Sequence, residues 1–171
     1  MADETRWSIP WTERPAEEAR ILNPAFCAEL IGRTVQEYHG TRPEALGMVT
    51  TFLVLPLTLH RPTREALPRR ANKVFVGWVA ENAALLAELP ERTRRLRPIS
   101  REALLFALRH RLLALEGGGL LPGTDPVPRA ARLNASTDDV KAAQRAAALL
   151  GRWFAGQSAQ TTILQAMGVA P

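Results

Sequence analysis

Residues 48–55 are the part of the sequence that most restricts the fold. They read MVTTFLVL, and the two threonines are the only polar side chains among them. A helix over this stretch has no polar face, so other elements must cover it on every side. Pro56 predicts that the element ends or kinks there, because proline has no N–H and its ring clashes with the preceding turn. A short buried strand over residues 52–55 fits the same pattern, and periodicity alone does not separate the two.

Helical periodicity recurs through the rest of the chain. Asn23 followed by Pro24 is typical of a helix start, and apolar residues three and four positions apart continue after it. The clearest amphipathic helix is predicted over residues 73–89, with Asn82 inside its apolar stripe. We predict that this amide is buried and bonded to neighbouring backbone, and the alternative is a functional group. With 171 residues, 46% of them hydrophobic, the chain has enough material for one core. We predict a single, mainly helical domain over residues 15–171.

A helix over residues 100–111, capped by Ser100, precedes a different kind of element. The run LLAL follows this helix, and three glycines and the run LLP come shortly afterwards. Two short apolar runs around a glycine turn predict a β-hairpin. A helix followed by such a hairpin is the layout of half a winged-helix domain. The predicted fold class is therefore mainly α, a compact helical domain with a small winged-helix-like hairpin after the Ser100 helix.

Residues 1–14 carry two tryptophans and show no clear period. Trp7 and Trp11 lie on either side of Pro10, and we predict that this segment is an extended arm. Indole rings bury a large apolar area, so an arm that carries two of them docks on a surface. That surface is either the protein's own or a partner's. Both tryptophans are candidate partner-docking residues.

Arginine supplies almost all of the positive charge. The net charge is +5, and only Lys73 and Lys141 among the 22 basic residues are lysines. A GC-rich genome explains this bias, and so does selection for contacts with phosphate or carboxylate groups, which guanidinium binds bidentately. Residues 90–98 are predicted to be a basic connector that leads into the densest arginine cluster. The candidate phosphate- or partner-binding side chains are Arg92, Arg94, Arg95, Arg97 and Arg101.

Two interpretations of this arginine cluster stay open. Phosphate contacts with DNA would use it as an electrostatic surface, whereas a solvated basic face or intrachain ion pairs would involve no nucleic acid. Apolar side chains surround nearly the whole circumference of the 100–111 helix. Such a helix lacks the exposed polar side chains that base recognition requires. Any DNA contact is therefore expected to be with the backbone, without sequence recognition.

No residue pattern points to a catalytic, cofactor or metal site. Cys27 is the only cysteine, so neither an intrachain disulfide nor a cysteine-based zinc site can form. His39, His60 and His110 lack the paired spacing that zinc binding uses. The three consecutive glycines are not followed by the lysine and hydroxyl residue of a phosphate-binding loop. We predict that the protein is not an enzyme.

The sequence also lacks an obvious membrane segment. Its first residues, MADETRW, are acidic and include no apolar signal segment. The longest apolar run, residues 48–59, contains Pro56 and is too short to cross a bilayer. We predict a cytoplasmic protein with no membrane contact.

Several stretches resemble a known bacterial family. They read EEARILNPAFCA from Glu17, FLVLPLTLH from Phe52, TREALP from Thr63, SREALLFAL from Ser100 and ILQAMGV from Ile163. Together they span most of the chain from about residue 15 onward. With these motifs the chain resembles the middle component of bacterial three-component ABC systems.

The resemblance implies a partner set and a role. It implies a gene set with an ABC-type ATPase, this middle component and a larger, variable effector, similar to bacterial conflict or phage-defence modules. The middle component would be an adaptor that couples an SMC-like or RecN-like ATPase to the effector, both encoded nearby. The resemblance implies no catalytic residues. A winged-helix-like DNA-binding protein that contacts the phosphate backbone is the alternative function.

Overall fold

The computed structural model describes residues 9–128 and 137–169. The candidate docking residue Trp7 lies outside these ranges. The helices are α1 (Ala16–Ile21), α2 (Pro24–Thr41), α3 (Met48–Thr51), α4 (Val54–Thr58), α5 (Arg61–Ala66), α6 (Phe75–Glu81), α7 (Ala83–Leu86), α8 (Leu89–Arg109), α9 (Asp138–Ala155) and α10 (Gln160–Ala166). The strands are β1 (Leu46–Gly47), β2 (Leu113–Glu116) and β3 (Gly119–Pro122). The predicted mainly helical class is confirmed.

Helix α2 is the centre of the packing, with both α8 and α9 against it. It begins as the sequence predicts, because the Asn23 side chain accepts a hydrogen bond from the Ala25 N–H at 2.8 Å. On the α9 side, the Thr34 hydroxyl donates to the Ala147 carbonyl at 2.9 Å. The three long helices thereby enclose most of the apolar core.

The apolar stretch 48–55 forms two short helices, and neither a single helix nor a strand. Val54–Thr58 is buried throughout, as a helix without a polar face must be, whereas Val49 in α3 is 41% exposed. The break falls at Phe52 and Leu53, before Pro56 and not at it. A proline ring clashes with the carbonyl four residues earlier, which here belongs to Phe52. The backbone therefore forms a tighter turn before Pro56, in which the Leu53 N–H donates to the carbonyl three residues earlier, that of Thr50, at 3.1 Å.

The amphipathic stretch 73–89 is also divided, so the prediction of one continuous helix there is wrong. Asn82 separates α6 from α7, with φ −114° and ψ 22°. Its side-chain amide donates to the Trp78 carbonyl at 2.8 Å, which confirms the predicted bond to neighbouring backbone. The amide competes with the helix's own N–H groups for that carbonyl. Asn82, which lies in the apolar stripe of the sequence pattern, therefore ends α6.

Residues 90–98 are not a connector, and Ser100 is not a cap. Both lie within α8, which begins at Leu89 and runs to Arg109 with Pro98 in its interior. An interior proline costs roughly 3 kcal/mol, since it removes one backbone hydrogen bond. Leu89, Ile99 and Ala103 are fully buried along one face, and the burial of this face offsets that cost.

The predicted hairpin is confirmed, and a third strand joins it. Strands β2 and β3 are antiparallel around a turn in which Gly117 and Gly118 have positive φ values of 56° and 78°. Strand β1 pairs with the other edge of β3, with Leu46 opposite Leu120. The sheet order is β1-β3-β2. A two-residue strand has no periodic signal, so the sequence did not reveal β1.

Within residues 9–128 and 137–169, no helix has both the length and the apolar character needed to cross a membrane.

Candidate functional site

The five candidate arginines lie on α8 but do not form one cluster. Arg94 and Arg95 both bind Glu91, at 2.7 and 3.0 Å, which neutralises part of their charge. Arg92 is half-buried and donates to the Thr63 hydroxyl at 3.1 Å. Burial lowers the pKa of the Arg92 guanidinium below its usual value. The intrachain ion pairs that the sequence left open are therefore present at Arg94 and Arg95.

Helical spacing separates Arg92 and Arg95 from the other three candidates. At 3.6 residues per turn, Arg94, Arg97 and Arg101 fall within about 60° of one another, and Arg92 lies about half a turn away from Arg101. Arg97 and Arg101 are exposed. Among the described residues neither has an acidic partner. Three candidates therefore share an exposed stripe, and Arg101 also lines a concave site.

That site is a groove between the N-terminal segment and α8, called here the tryptophan groove. It has a volume of about 1010 Å³ and contains two residues singled out from the sequence, Trp11 and Arg101. Its other main lining residues are Pro24, Pro98, Leu105, Phe106 and Arg109. The structure thus brings together one arm residue and one arginine that the sequence treats as separate candidates.

Arg14 fixes one wall of the tryptophan groove. Its side chain is 4% exposed and bonds the Glu102 carboxylate at 2.6 Å and the Ile9 carbonyl at 2.9 Å. The Trp11 indole N–H donates to the Ala19 carbonyl at 2.7 Å, while 37% of this residue stays exposed. The described part of the arm therefore lies on the protein's own surface, with Trp11 at the edge of the groove.

The centre of the tryptophan groove is an exposed apolar surface. Leu105 is 63% exposed, and the Phe106 ring lies against His110 with centroids 4.2 Å apart. Apolar residues do occupy most of the circumference of the 100–111 segment, as the sequence indicates, but only one side of α8 faces the protein's own core.

The basic rim of this groove has no neutralising carboxylate. Arg101 and Arg109 line it, and within the described ranges neither forms an ion pair. The nearest acid along the helix, Glu102, is already bound to Arg14. Pro98, Arg101, Leu105 and Arg109 recur at intervals of three and four, so a single exposed helical face was visible in the sequence. The sequence analysis missed this face because it predicted a helix start at Ser100, which left Pro98 outside the helix.

The single cysteine and the potential metal ligands have defined surroundings in the described residues. Cys27 is buried, and burial, with a smaller effect from the Glu102 charge, raises the pKa of its thiol to about 12. A thiol that stays protonated at neutral pH is a poor nucleophile. In residues 9–128 and 137–169, no group of three or more His, Cys, Asp or Glu side chains is arranged to hold a metal.

The comparisons with known proteins point to one family. The model of the family described as ABC-three component (ABC-3C) system Middle Component 3 matches residues 11–171. No curated protein and no solved structure shows a significant similarity to the chain. The match covers nearly the whole sequence and confirms the resemblance of the sequence motifs. The chain belongs to the family of middle component 3 of ABC-three component systems.

Proposed function

We propose that the protein is a non-catalytic adaptor subunit that links an SMC-like or RecN-like ABC-type ATPase to an effector protein in a bacterial defence system. The tryptophan groove would bind one of these two components. The observation that carries the proposal is the exposed Leu105 beside Trp11, inside a groove with arginines on its rim. Middle-component membership supports the existence of partner components.

Apolar exposure of this kind favours a protein partner. Contiguous apolar surface with a polar rim is typical of interaction sites, and tryptophan and arginine are enriched among the residues that dominate binding energy. Leu105 and Trp11 would supply the apolar centre, and Arg101 and Arg109 the rim. A partner segment with one apolar face and flanking carboxylates complements this arrangement, because it covers the leucine and pairs the arginines.

The role we propose needs no reaction at this chain. The protonated Cys27 thiol and the commitment of Glu102 to Arg14 support a binding function over a catalytic one. We further propose that the adaptor acts in the cytoplasm, since an ABC-type ATPase draws its ATP from that compartment.

Co-purification of the chain with the two neighbouring gene products tests the adaptor function. We expect a complex with each component, formed with or without ATP, and we expect Leu105→Glu to abolish one of them. Leu115→Glu is the matched control, because Leu115 is 54% exposed on β2 outside the groove. Absence of any complex with the wild-type chain, in both nucleotide conditions, would reject the adaptor function.

DNA binding is the second candidate, favoured by the exposed stripe of Arg94, Arg97 and Arg101. Its electrostatic signature is a steep salt dependence: three phosphate contacts would weaken binding about fortyfold between 50 and 200 mM salt. A duplex titration at these two concentrations measures it. Neutralising Arg94, Arg97 and Arg101 together should then remove the dependence. No binding at low salt would eliminate this candidate.

A further inference from the structure

We infer that a second groove, between α5 and α9, binds an acidic segment of the other partner component, so that the adaptor holds two partners at once. This inference rests on the proposed adaptor function and deepens it. The groove, called here the arginine groove, has a volume of about 810 Å³ and shares no lining residue with the tryptophan groove. The two grooves lie on α9 and α8, which both pack against α2.

Five arginines line the arginine groove, against three carboxylates. Three of these arginines are already engaged by acids. Arg61 binds Glu65 at 2.7 Å, Arg64 binds Asp139, and Arg152 binds Glu37 at 2.6 Å. The remaining two, Arg69 and Arg145, are exposed, and neither has an acidic partner in the described part of the chain.

Contacts of Arg64 join the two sides of the arginine groove. Arg64 has a side chain that is 6% exposed, and it joins the Thr58 carbonyl at 2.9 Å to the Asp139 carboxylate at the start of α9. It thereby ties α5 to the first turn of α9. Arg145 projects from α9, and Arg69 lies in the bend three residues beyond the end of α5, so the ion pair of Arg64 joins the two elements beside them. Such preorganisation lowers the entropic cost of ordering a partner on them.

The chemistry of the groove favours a protein segment over a nucleic acid. Leu67, Pro68 and Leu149 give it an apolar floor, which suits an aliphatic side chain. Asp138 and Asp139 lie at its edge and would repel the evenly charged phosphates of a backbone. A peptide with one carboxylate on each side of an apolar residue can place its charges next to Arg69 and Arg145 and away from these two aspartates. Each carboxylate can then bind one guanidinium group bidentately. The chain between Pro128 and Thr137 contains no acidic residue that would neutralise them instead.

The experiment measures the affinity of the full-length chain for each purified partner component, at low and at moderate salt. The test variant is Arg69→Glu with Arg145→Glu. The control is Arg20→Glu with Arg70→Glu, which reverses two exposed arginines outside both grooves. We expect the test variant to bind one component about tenfold more weakly or worse, and the other component normally. We expect Leu105→Glu to show the converse selectivity, and either variant to prevent the three-protein complex.

Three results would overturn the inference. Wild-type affinity of Arg69→Glu with Arg145→Glu for both components would show that the groove is not used. Loss of the same component in this variant and in Leu105→Glu would mean that both grooves serve one partner. Loss of duplex DNA binding in place of protein binding would assign the arginines to phosphate.

The outcomes separate this inference from the proposed function. If the wild-type chain binds neither component, the adaptor function fails and the second groove fails with it. If the wild-type chain binds both and the groove variant does too, only the inference fails. The milder pair Arg69→Ala with Arg145→Ala, checked for an unchanged melting temperature, guards against misfolding and should weaken the same component by a smaller factor.

Discussion

The two long helices that pack against α2 use their apolar side chains differently. On α9, Trp153 and Phe154 are buried, and Gly151 lies directly against the α2 backbone. On α8, Leu105 is largely exposed between arginines that have no acidic partner in the described ranges. Apolar content alone therefore does not distinguish a helix that is covered by the core from one with an exposed apolar face. What distinguishes them is whether other elements cover the apolar side chains.

The covered helix owes its stability to an aromatic cluster. Trp153 packs edge-to-face against Phe75 at 4.7 Å and against Trp78 at 5.2 Å between ring centroids. Its indole N–H donates to the Lys73 carbonyl at 2.7 Å, so the buried ring leaves no unsatisfied polar atom. We expect the largest stability losses on this side of the molecule.

Replacement of Trp153 should have the largest effect of all. Trp153→Ala removes a fully buried ring and leaves a cavity beside Phe75, so we expect a loss of about 4 kcal/mol in the free energy of unfolding. Urea denaturation followed by circular dichroism measures it. A loss below about 1 kcal/mol would show that the cluster is not the core of this face.

A methyl group at Gly151 should cost less, about 2 kcal/mol. Its Cβ would overlap the Thr34 carbonyl oxygen and lie 2.8 Å from the Glu37 Cβ, so α9 has to move away from α2. Gly77→Ala is the matched control: the nearest atoms lie 3.9 Å away, and helix propensity should then raise stability by up to about 1 kcal/mol. Equal effects of the two substitutions on the melting temperature would contradict the close packing of α9.

The periodic elements of this fold were predictable, and the breaks in them were less so. Asn23 capped α2 as expected because the cap is a local interaction. The hairpin followed from its glycine turn for the same reason. Pro98, by contrast, was expected to lie outside a helix, and only its position opposite the buried face of α8 explains why the helix continues. The burial of that opposite face depends on tertiary packing, which leaves no local signature in the sequence.

The candidate site was predictable in its parts and not in its assembly. Trp11 and Arg101 were recognised separately, from an arm and from a charge cluster. Trp11 and Arg101 line the same groove because Arg14 bridges Glu102 on α8 and Ile9 in the N-terminal segment. No sequence pattern indicated this role for Arg14. The exposure of Leu105 was not predicted, because periodicity identifies apolar positions but does not say which of them other elements cover.

The burial of Cys27 in the core should make the free energy of unfolding depend on pH. Burial raises the pKa of the Cys27 thiol from its ordinary value of 9.0 to about 12, so the folded state keeps the proton at pH values where the unfolded state loses it. Stability from this group is therefore complete below pH 9 and is lost as the pH rises from about 9 to 12, by at most about 1.4 kcal/mol per pH unit. Comparison of wild type with Cys27→Ala by denaturation at pH 8 and 10 isolates it. An identical pH slope in both proteins would contradict the burial.

Leu105 should contribute least to stability. Leu105→Ala is expected to change the free energy of unfolding by less than about 0.5 kcal/mol, as for other exposed positions. The neighbouring Leu104 is buried, and Leu104→Ala should cost roughly 3 kcal/mol. Thermal denaturation of the two variants compares them directly. A large loss for Leu105→Ala would mean that this leucine belongs to the core after all.

Thiol footprinting of the groove tests the central claim most directly. Cys27 is buried and protonated, so it reacts slowly with thiol reagents. Leu105→Cys therefore introduces an exposed, reactive thiol inside the groove, and Leu115→Cys is the control outside it. We expect a saturating concentration of the partner component to slow modification of Leu105→Cys about tenfold or more and to leave modification of Leu115→Cys unchanged. Equal modification rates of Leu105→Cys with and without either bound component would contradict it.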